Sequence, residues 1–206
     1  MTAEEDLKTI AAEVSVCTKC KLCSGRKKAV PGEGPADARI MFIGEGPGFH
    51  ENEQGRPFVG PAGKFLEELL ASIGMKREQV FICNVVKCRP PGNRDPEIDE
   101  LQACSDYLER QIKAINPAVI VTLGRFSMAR FMPDAKISSV HGQARQIGGR
   151  LVVAMFHPAA ALHQPSLKQS VIDDFKKLPA LIAAKDKAAS QPPPPEKPEA
   201  TQLNLF

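Results

Sequence analysis

Residues 39–48 read RIMFIGEGPG, an apolar run that passes directly into a loop with three glycines and a proline. Three similar runs follow, each ending in glycine, proline or polar residues: 80–86 (VFICNVV), 119–123 (VIVTL) and 151–156 (LVVAMF). Apolar runs without polar alternation are typical of parallel strands that are buried on both faces. The pattern therefore predicts four parallel β-strands.

Stretches with helical spacing of apolar residues separate these strands, at residues 62–74, 96–115, 124–132 and 165–185. Gly74 is a stop signal for the first helix, and Asp95-Pro96 predicts an N-cap and first helical residue for the second. The alternation of strands and helices predicts a three-layer α/β/α sandwich with a central four-stranded parallel sheet.

The composition predicts one domain with a tail. From about Ala183 the chain becomes rich in alanine, lysine, serine, glutamine and proline. We predict a domain over residues 1–183, a disordered Pro-rich linker over 184–201 and a separate peptide at 202–206. The net charge of +3 permits nucleic-acid binding without establishing it. The sequence has neither an apolar run of about 18 residues nor a signal peptide, so we expect a cytoplasmic monomer without membrane contact.

Six cysteines in a reducing compartment favour a metal or cluster site over disulfides. One CxxC pair and two later cysteines meet the four-thiolate requirement of structural zinc or an iron–sulfur cluster. The spacing does not separate iron from zinc. Cys23 also forms a CxxC pair with Cys20 and could replace Cys17 as a ligand. Cys83 is predicted to be a buried apolar residue of its strand. The predicted ligands are Cys17, Cys20, Cys88 and Cys104.

Unusual residues follow the predicted strands, at the sheet edge where ligands of parallel sheets collect. They are the glycine loop at 44–60, Asn84 with KCRPPGNRDP behind it, and HPAAALHQP after the fourth strand. The glycine loop matches neither a Walker A loop nor a dinucleotide fingerprint. We therefore predict a pocket lined by backbone at this edge.

Three motifs, GEGPG…GRPFVG, CNVVKCRPPGNRDP and HPAAAL, together with the four cysteines, resemble those of the family 4 uracil-DNA glycosylases of bacteria and archaea. The resemblance covers about residues 5–182. It implies a 4Fe-4S cluster on the four cysteines, with zinc less expected. It also implies a monofunctional DNA repair enzyme that flips uracil out of DNA and hydrolyses its N-glycosidic bond, leaving an abasic site for base excision repair.

The residue chemistry agrees with base excision. Phe58 offers a stacking face for a flipped base, and Asn84 matches the N3–H and O4 groups of uracil. His157 can donate to O2, where negative charge grows, and main-chain N–H groups near Gly46 can approach the base closely.

Glu45 and Glu51 align with acidic positions of the family and could each orient the attacking water; we favour Glu51. The chain departs from the family's acidic run after GPG, because it has phenylalanine, histidine and asparagine at 49, 50 and 52.

Contacts to DNA are predicted on two loops. Leu162 or His163 would fill the place of the flipped base. Arg89, Arg94 and Lys87 are candidates for phosphate contacts.

Two alternatives stay open. One is a uracil-DNA-binding relative that forms a covalent adduct, which the absence of a histidine in RPPGNRDP disfavours. The other is a non-enzymatic iron–sulfur or polymerase-associated protein, which has no need of Phe58, Asn84 and His157.

The terminal QLNLF resembles the peptide with which bacterial proteins bind the sliding clamp. The tether before it would let the domain sample nearby DNA. The amide would enter a polar subsite and the apolar side chains a groove, a role that falls on Gln202, Leu203, Leu205 and Phe206.

Overall fold

A computed structural model describes residues 2–189, and a five-stranded β-sheet lies at its centre. The strand order is β2-β1-β3-β5-β4. Strands β2, β1, β3 and β5 are parallel to one another, and β4 is antiparallel to β5. The strands are β1 (Ile40–Gly44), β2 (Phe81–Asn84), β3 (Val119–Leu123), β4 (Gln143–Ile147) and β5 (Arg150–Met155).

Helices cover both faces of the sheet, and this confirms the predicted three-layer α/β/α class. They are α1 (Ala3–Val16), α2 (Phe49–Gln54), α3 (Pro61–Ser72), α4 (Ile98–Ile115), α5 (Arg125–Ala129), α6 (Ile137–Val140), α7 (Pro158–His163) and α8 (Lys168–Ala189). In β1, Phe42 packs towards α3 and α8, whereas Met41 and Ile43 pack towards α4. Such alternation buries every residue of the strand and explains its continuous apolar run.

The edge strand β4 was not predicted. Its sequence, QARQI, is largely exposed and carries no apolar run. Gly148 and Gly149, both with positive φ, connect it to β5 in a tight hairpin turn. An exposed edge strand of this kind has a weak hydrophobic signal because only one of its faces meets the core.

Two predicted boundaries are wrong. Helix α4 begins at Ile98 after Glu97, two residues later than the predicted start, because the Glu97 N–H donates to Glu100 Oε2 (2.8 Å). Helix α8 continues to Ala189, so residues 184–189 are helical and do not belong to a linker. Alanine and lysine are strong helix formers, which explains the extension. Residues 190–201 and the terminal peptide 202–206 lie outside the described residues.

The prediction that Cys83 is a buried strand residue is confirmed, since its side chain is 0% exposed between the sheet and the α4 layer. None of the helices within residues 2–189 combines the length and the apolar character that a membrane span requires.

Candidate functional site

The loops that follow β1, β2, β3 and β5 line one cleft of about 780 Å³. Its position agrees with the rule that ligands of parallel sheets bind beyond the carboxyl ends of the strands. The predicted site residues that line this cleft are Glu45, Gly46, Glu51, Phe58, Asn84, Arg94, His157, Leu162 and His163.

Asn84 ends β2 and lies beside Gly44, its partner on β1. A Cβ atom at residue 44 would overlap Asn84 Oδ1 and stand 2.7 Å from the Phe58 ring, so only glycine fits there. The Asn84 side chain is 1% exposed, and its Oδ1 has no hydrogen-bond partner in the described part of the chain. Leaving a buried carbonyl unpaired costs about 1–3 kcal/mol. This atom therefore indicates a ligand that carries a hydrogen-bond donor.

Phe58 occupies an unusual backbone conformation, with φ of +51°. Two contacts hold it there: Arg77 donates to Phe58 O (2.9 Å) and to Pro57 O, and Gly63 packs against the Phe58 carbonyl so closely that a Cβ would overlap it. The Phe58 ring stacks on His157, with 5.4 Å between ring centroids and 23° between planes. Backbone strain of this kind is retained where it places a functional side chain.

His157 is the N-cap of α7, and its Nδ1 accepts a hydrogen bond from the Ala159 N–H (3.1 Å). Burial lowers the pKa of His157 to about 4, against the smaller opposing effect of the Glu51 charge. The ring is therefore neutral near pH 7. Because Nδ1 acts as the acceptor, the single ring proton lies on Nε2, which becomes a donor.

Glu51 connects Gly48, near the start of the glycine loop, with Val59 and Gly60 at its end. Its Oε1 accepts from the N–H groups of Val59 (2.9 Å) and Gly60 (2.8 Å), and its Oε2 accepts from Gly48 N–H (3.1 Å). Three backbone donors on one carboxylate fix the start of α2 against the start of α3. This geometry gives Glu51 an organising role in the cleft.

Glu45 lies at the base of the loop after β1, where Oε1 accepts from the Phe126 N–H at the start of α5 (3.2 Å). Burial raises the pKa of Glu45, and the α5 backbone N–H groups and the Arg125 charge only partly oppose this. A carboxylate with a raised pKa is a stronger base, which suits it to hold or activate water.

Of the predicted DNA-contacting residues, Leu162, His163 and Arg94 line the cleft. Leu162, on α7, is 45% exposed and His163 is exposed beside it. Arg94 forms two hydrogen bonds to the buried Glu100 carboxylate (2.6 and 2.9 Å), so its guanidinium already has a partner. Arg89 Nε donates to Asn93 Oδ1 (2.7 Å).

The prediction that Lys87 contacts phosphate is wrong, because its side chain is 1% exposed. Its Nζ donates to Asn84 O (2.8 Å) and to Gln111 Oε1 (2.7 Å), and Gln111 Nε2 donates to Pro31 O (2.7 Å). This buried polar chain supports the backbone of Asn84. Sequence reasoning missed it, as it missed Arg77 behind Phe58, because most of these partners are far apart along the chain: Lys87 and Gln111 are 24 residues apart, and Arg77 and Phe58 are 19.

A second, enclosed cavity of about 10 Å³ lies behind the loop after β2. It is bordered by the end of α1, the turn after it, the loop after β2 and α4. Five cysteines line it: Cys17, Cys20, Cys23, Cys88 and Cys104. The structure thus brings the four predicted ligands together and adds Cys23.

N–H groups point at the sulfur atoms of all four predicted ligands. Donors to three of these sulfurs are Lys19 N to Cys17 (3.5 Å), Arg26 Nη1 to Cys88 (3.6 Å) and Lys87 N to Cys104 (3.4 Å). A backbone hydrogen bond from Leu22 acts on Cys20. Such bonds stabilise the thiolates of iron–sulfur clusters.

Within residues 2–189, no three His, Cys, Asp or Glu side chains are placed to hold a single metal ion. A four-iron cluster differs from such a site because each cysteine binds a different iron atom, so its ligands stand further apart. Burial raises the pKa of the free Cys104 thiol to about 11 and also raises the pKa values of Cys88 and Cys20. A buried donor set of sulfur atoms alone suits either zinc or an iron–sulfur cluster.

Comparison with known proteins gives a consistent result. A family model described as the uracil DNA glycosylase superfamily matches residues 31–177. A type-4 uracil-DNA glycosylase of Sulfurisphaera tokodaii is 49% identical over 187 residues, or 84% of each chain. That of Saccharolobus solfataricus is 49% identical over 191 residues, or 88% of each chain. That of Archaeoglobus fulgidus is 47% identical over 191 residues, covering 88% of this chain and 96% of the relative.

Proposed function

The chain belongs to the uracil DNA glycosylase superfamily, and from that premise we propose that it removes uracil from DNA by hydrolysing the N-glycosidic bond. The observation that carries the proposal is the unpaired Oδ1 of Asn84, buried at the inner end of the cleft. The product would be an abasic site, the substrate of base excision repair.

Asn84 would read the base. Its Oδ1 accepts from uracil N3–H and its amide donates to O4, which satisfies the unpaired atom. Cytosine presents an amino group in place of O4 and lacks the N3–H, so it would meet the amide with mismatched groups. A base inside a duplex is out of reach, so the nucleotide must be flipped into the cleft, where Phe58 offers its ring for stacking.

His157 would stabilise the leaving base. As the glycosidic bond breaks, negative charge grows on uracil O2, and the Nε2–H donor of His157 can bind it. The neutral ring is prepared for this task because α7 fixes its tautomer through the Ala159 N–H. The main-chain N–H near Gly46, which also lines the cleft, would add a second donor.

Glu51 and Glu45 would have different roles. The sequence favoured Glu51 for orienting the attacking water, but three backbone N–H groups already bind its carboxylate, so we assign Glu51 to holding the glycine loop. Glu45, whose pKa is raised by burial, would instead orient the water that attacks the sugar. Among the described residues that line the cleft, none is a lysine. This supports a monofunctional enzyme, since a lyase needs an amine nucleophile.

The mouth of the cleft would face DNA. Leu162 and His163 would fill the stack that the flipped nucleotide leaves, and the basic side chains of Arg89 and Arg94 would approach the phosphates.

The cysteine cavity would hold a 4Fe-4S cluster on Cys17, Cys20, Cys88 and Cys104. When bound, the cluster would supply cross-linking of the N-terminal segment, the loop after β2 and α4. Cys23 lines the same cavity and could replace Cys17 as a ligand. Iron and sulfide analysis, with an absorbance spectrum of protein purified without oxygen, would test the assignment; zinc in place of iron would contradict it.

A glycosylase assay tests the activity. We expect alkali-labile sites in oligonucleotides that contain U:A, U:G or single-stranded U, and none in matched oligonucleotides with thymine or cytosine at that position. Uracil oligonucleotides that stay intact after alkali would refute the proposal. A DNA band that survives boiling in SDS would instead favour a relative that forms a covalent adduct.

We also propose that residues 202–206, outside the described part of the chain, bind a bacterial-type sliding clamp. Deletion of 202–206 should abolish clamp binding and leave uracil excision on naked oligonucleotides unchanged. The matched control replaces Leu205 and Phe206 with alanine and keeps the chain length. Clamp binding that survives both changes would contradict the proposal.

A further inference from the structure

Two exposed apolar side chains lie at the mouth of the cleft. The described residues expose four large apolar side chains, and two of them, Phe49 (53% exposed) and Leu162 (45%), line the cleft. Phe49 begins α2, after β1, whereas Leu162 lies on α7, after β5. Leu162 has a role as the filler of the vacated stack. Phe49 has none in base recognition, because Phe58 already supplies the stacking face inside the cleft.

The Phe49 ring is paired with a positive charge from a different loop. The guanidinium carbon of Arg89 lies 5.3 Å from the ring centroid, and Arg89 is itself held by Asn93 Oδ1 (2.7 Å). The His50 ring meets the Phe49 ring in a T-shaped contact at 5.5 Å. Arginine over an aromatic ring is a favourable arrangement, and it fixes both side chains in place. The loops after β1 and β2 therefore present a ring and a cation side by side at the mouth.

This combination fits a nucleotide. Sites for single-stranded nucleic acid combine an aromatic ring, on which a base stacks, with a cation that neutralises the backbone. The Phe49–Arg89 pair offers both, and Phe49 itself lines the cleft that would take the flipped uracil. The nucleotides that flank the uridine on the same strand must leave the cleft at its mouth, because they are covalently attached to it.

We propose that Phe49 and Arg89 bind a nucleotide next to the flipped uridine, with its base stacked on the Phe49 ring and its phosphate paired with the Arg89 guanidinium. The inference rests on the proposed uracil excision and adds a second base-binding position to it. Its contribution should be larger on single-stranded DNA, because a flanking base in a duplex is already stacked and paired.

The test removes the ring from the protein and the base from the DNA, separately and together. Phe49→Ala should lower kcat/KM on single-stranded uracil DNA by about 5- to 160-fold, the range for loss of one stacked base. Replacing one flanking nucleotide, 5′ or 3′, with a tetrahydrofuran residue should lower the wild-type value by a similar factor. On the oligonucleotide that lacks this base, Phe49→Ala should lower kcat/KM only slightly further. Losses that multiply at both flanking positions would overturn the inference.

Matched variants separate stacking from mere apolar contact. Phe49→Tyr should keep most of the wild-type kcat/KM, whereas Phe49→Leu should lose it, because leucine retains bulk without an aromatic face. Ile98 is exposed and apolar but does not line the cleft, so Ile98→Ala should leave kcat/KM unchanged. A Phe49→Leu variant with wild-type kcat/KM would overturn the stacking role.

Salt dependence tests the cation. Arg89→Gln should reduce the slope of log affinity against log salt by about 0.7 for single-stranded DNA, which is the share of one phosphate contact. An unchanged slope would overturn the phosphate contact. Wild-type excision of the unmodified oligonucleotide is measured in the same series. If the wild type excises and the losses multiply, only this inference fails; if the wild type leaves every uracil oligonucleotide intact, the proposed function fails with it.

Discussion

The cleft beyond the sheet and the cysteine cavity are joined by one short segment, because Asn84 lines the cleft and Cys88 lines the cavity. The two sites nevertheless have opposite designs. The cleft is open, measures about 780 Å³ and leaves Asn84 Oδ1 without a hydrogen-bond partner among residues 2–189. The cavity is small, about 10 Å³, and N–H groups already point at its sulfur atoms. The first design suits a ligand that enters and leaves. The second suits a group that is enclosed once and then holds the chain together.

Lys87 connects the two regions. Its backbone N–H points at Cys104 Sγ (3.4 Å), and its Nζ donates to the carbonyl of Asn84 (2.8 Å). A rigid cavity can therefore position Asn84, the residue that we propose reads the base. We expect changes in the cavity to appear mainly as lost stability, and changes in the cleft mainly as lost activity.

The largest effect is expected from Cys104→Ser, which removes a predicted cluster ligand. Loss of a structural metal group should lower the free energy of unfolding by about 4 kcal/mol or more, measured by urea denaturation of anaerobically purified protein. Cys83→Ala is the matched control, since Cys83 is equally buried but lies outside the cavity; we expect it to cost about 1 kcal/mol. Equal losses in the two variants would contradict a cluster on Cys104.

Asn84→Ala should lower activity with little loss of stability, the reverse of Cys104→Ser. We expect kcat to fall by about 10²–10³-fold, as when one preorganised polar group is removed from an active site. The free energy of unfolding should change by less than about 1 kcal/mol, because Oδ1 gives up no hydrogen bond within the described chain. Asn52→Ala is the comparison for stability: Asn52 Oδ1 accepts from Lys27 N–H (3.0 Å), so this variant should be destabilised. A fully active Asn84→Ala enzyme would refute base reading by Asn84.

Lys87→Met tests the connection between the regions, with an intermediate effect. Methionine leaves Asn84 O and Gln111 Oε1 without their shared donor, so we expect a loss of about 1–3 kcal/mol of stability. Displacement of Asn84 should also raise KM for uracil DNA by about tenfold. Lys113→Met, on the exposed face of α4, should change neither quantity measurably. Lost stability with unchanged KM would show that the cavity does not position Asn84.

The smallest effect concerns pH. His157 has a pKa lowered to about 4 by burial, so it stays neutral from about pH 6 to 8 and should add no limb to the rate profile there. A pKa below the ordinary 6.5 means that the unfolded chain takes up the proton first. The stability contribution of His157 is thus fully present above about pH 6.5 and is lost as pH falls towards 4. NMR of the ring signals would check this; a His157 midpoint near 6.5 would contradict it.

Sequence patterns predicted elements whose signal is local. The buried strands were found because each is a continuous apolar run, and Asn84, Phe58 and His157 were placed together because parallel strands end at one edge. The edge strand β4 escaped detection because its residues are mostly exposed. The start of α4 was misplaced because the Glu97–Glu100 cap competes with the proline signal at 96.

The sequence by itself determined the kinds of group that the site would contain: an amide, a histidine, an aromatic ring, two carboxylates and four thiols in a recognisable order. The tertiary structure decided what state each group is in. Burial and an N–H from Ala159 fix the proton of His157, three backbone donors commit Glu51 to the loop, and long-range contacts turn Lys87 inward. These properties depend on solvent access and on contacts that form only in the folded chain, some of them, such as Lys87 with Gln111, between residues far apart in the sequence.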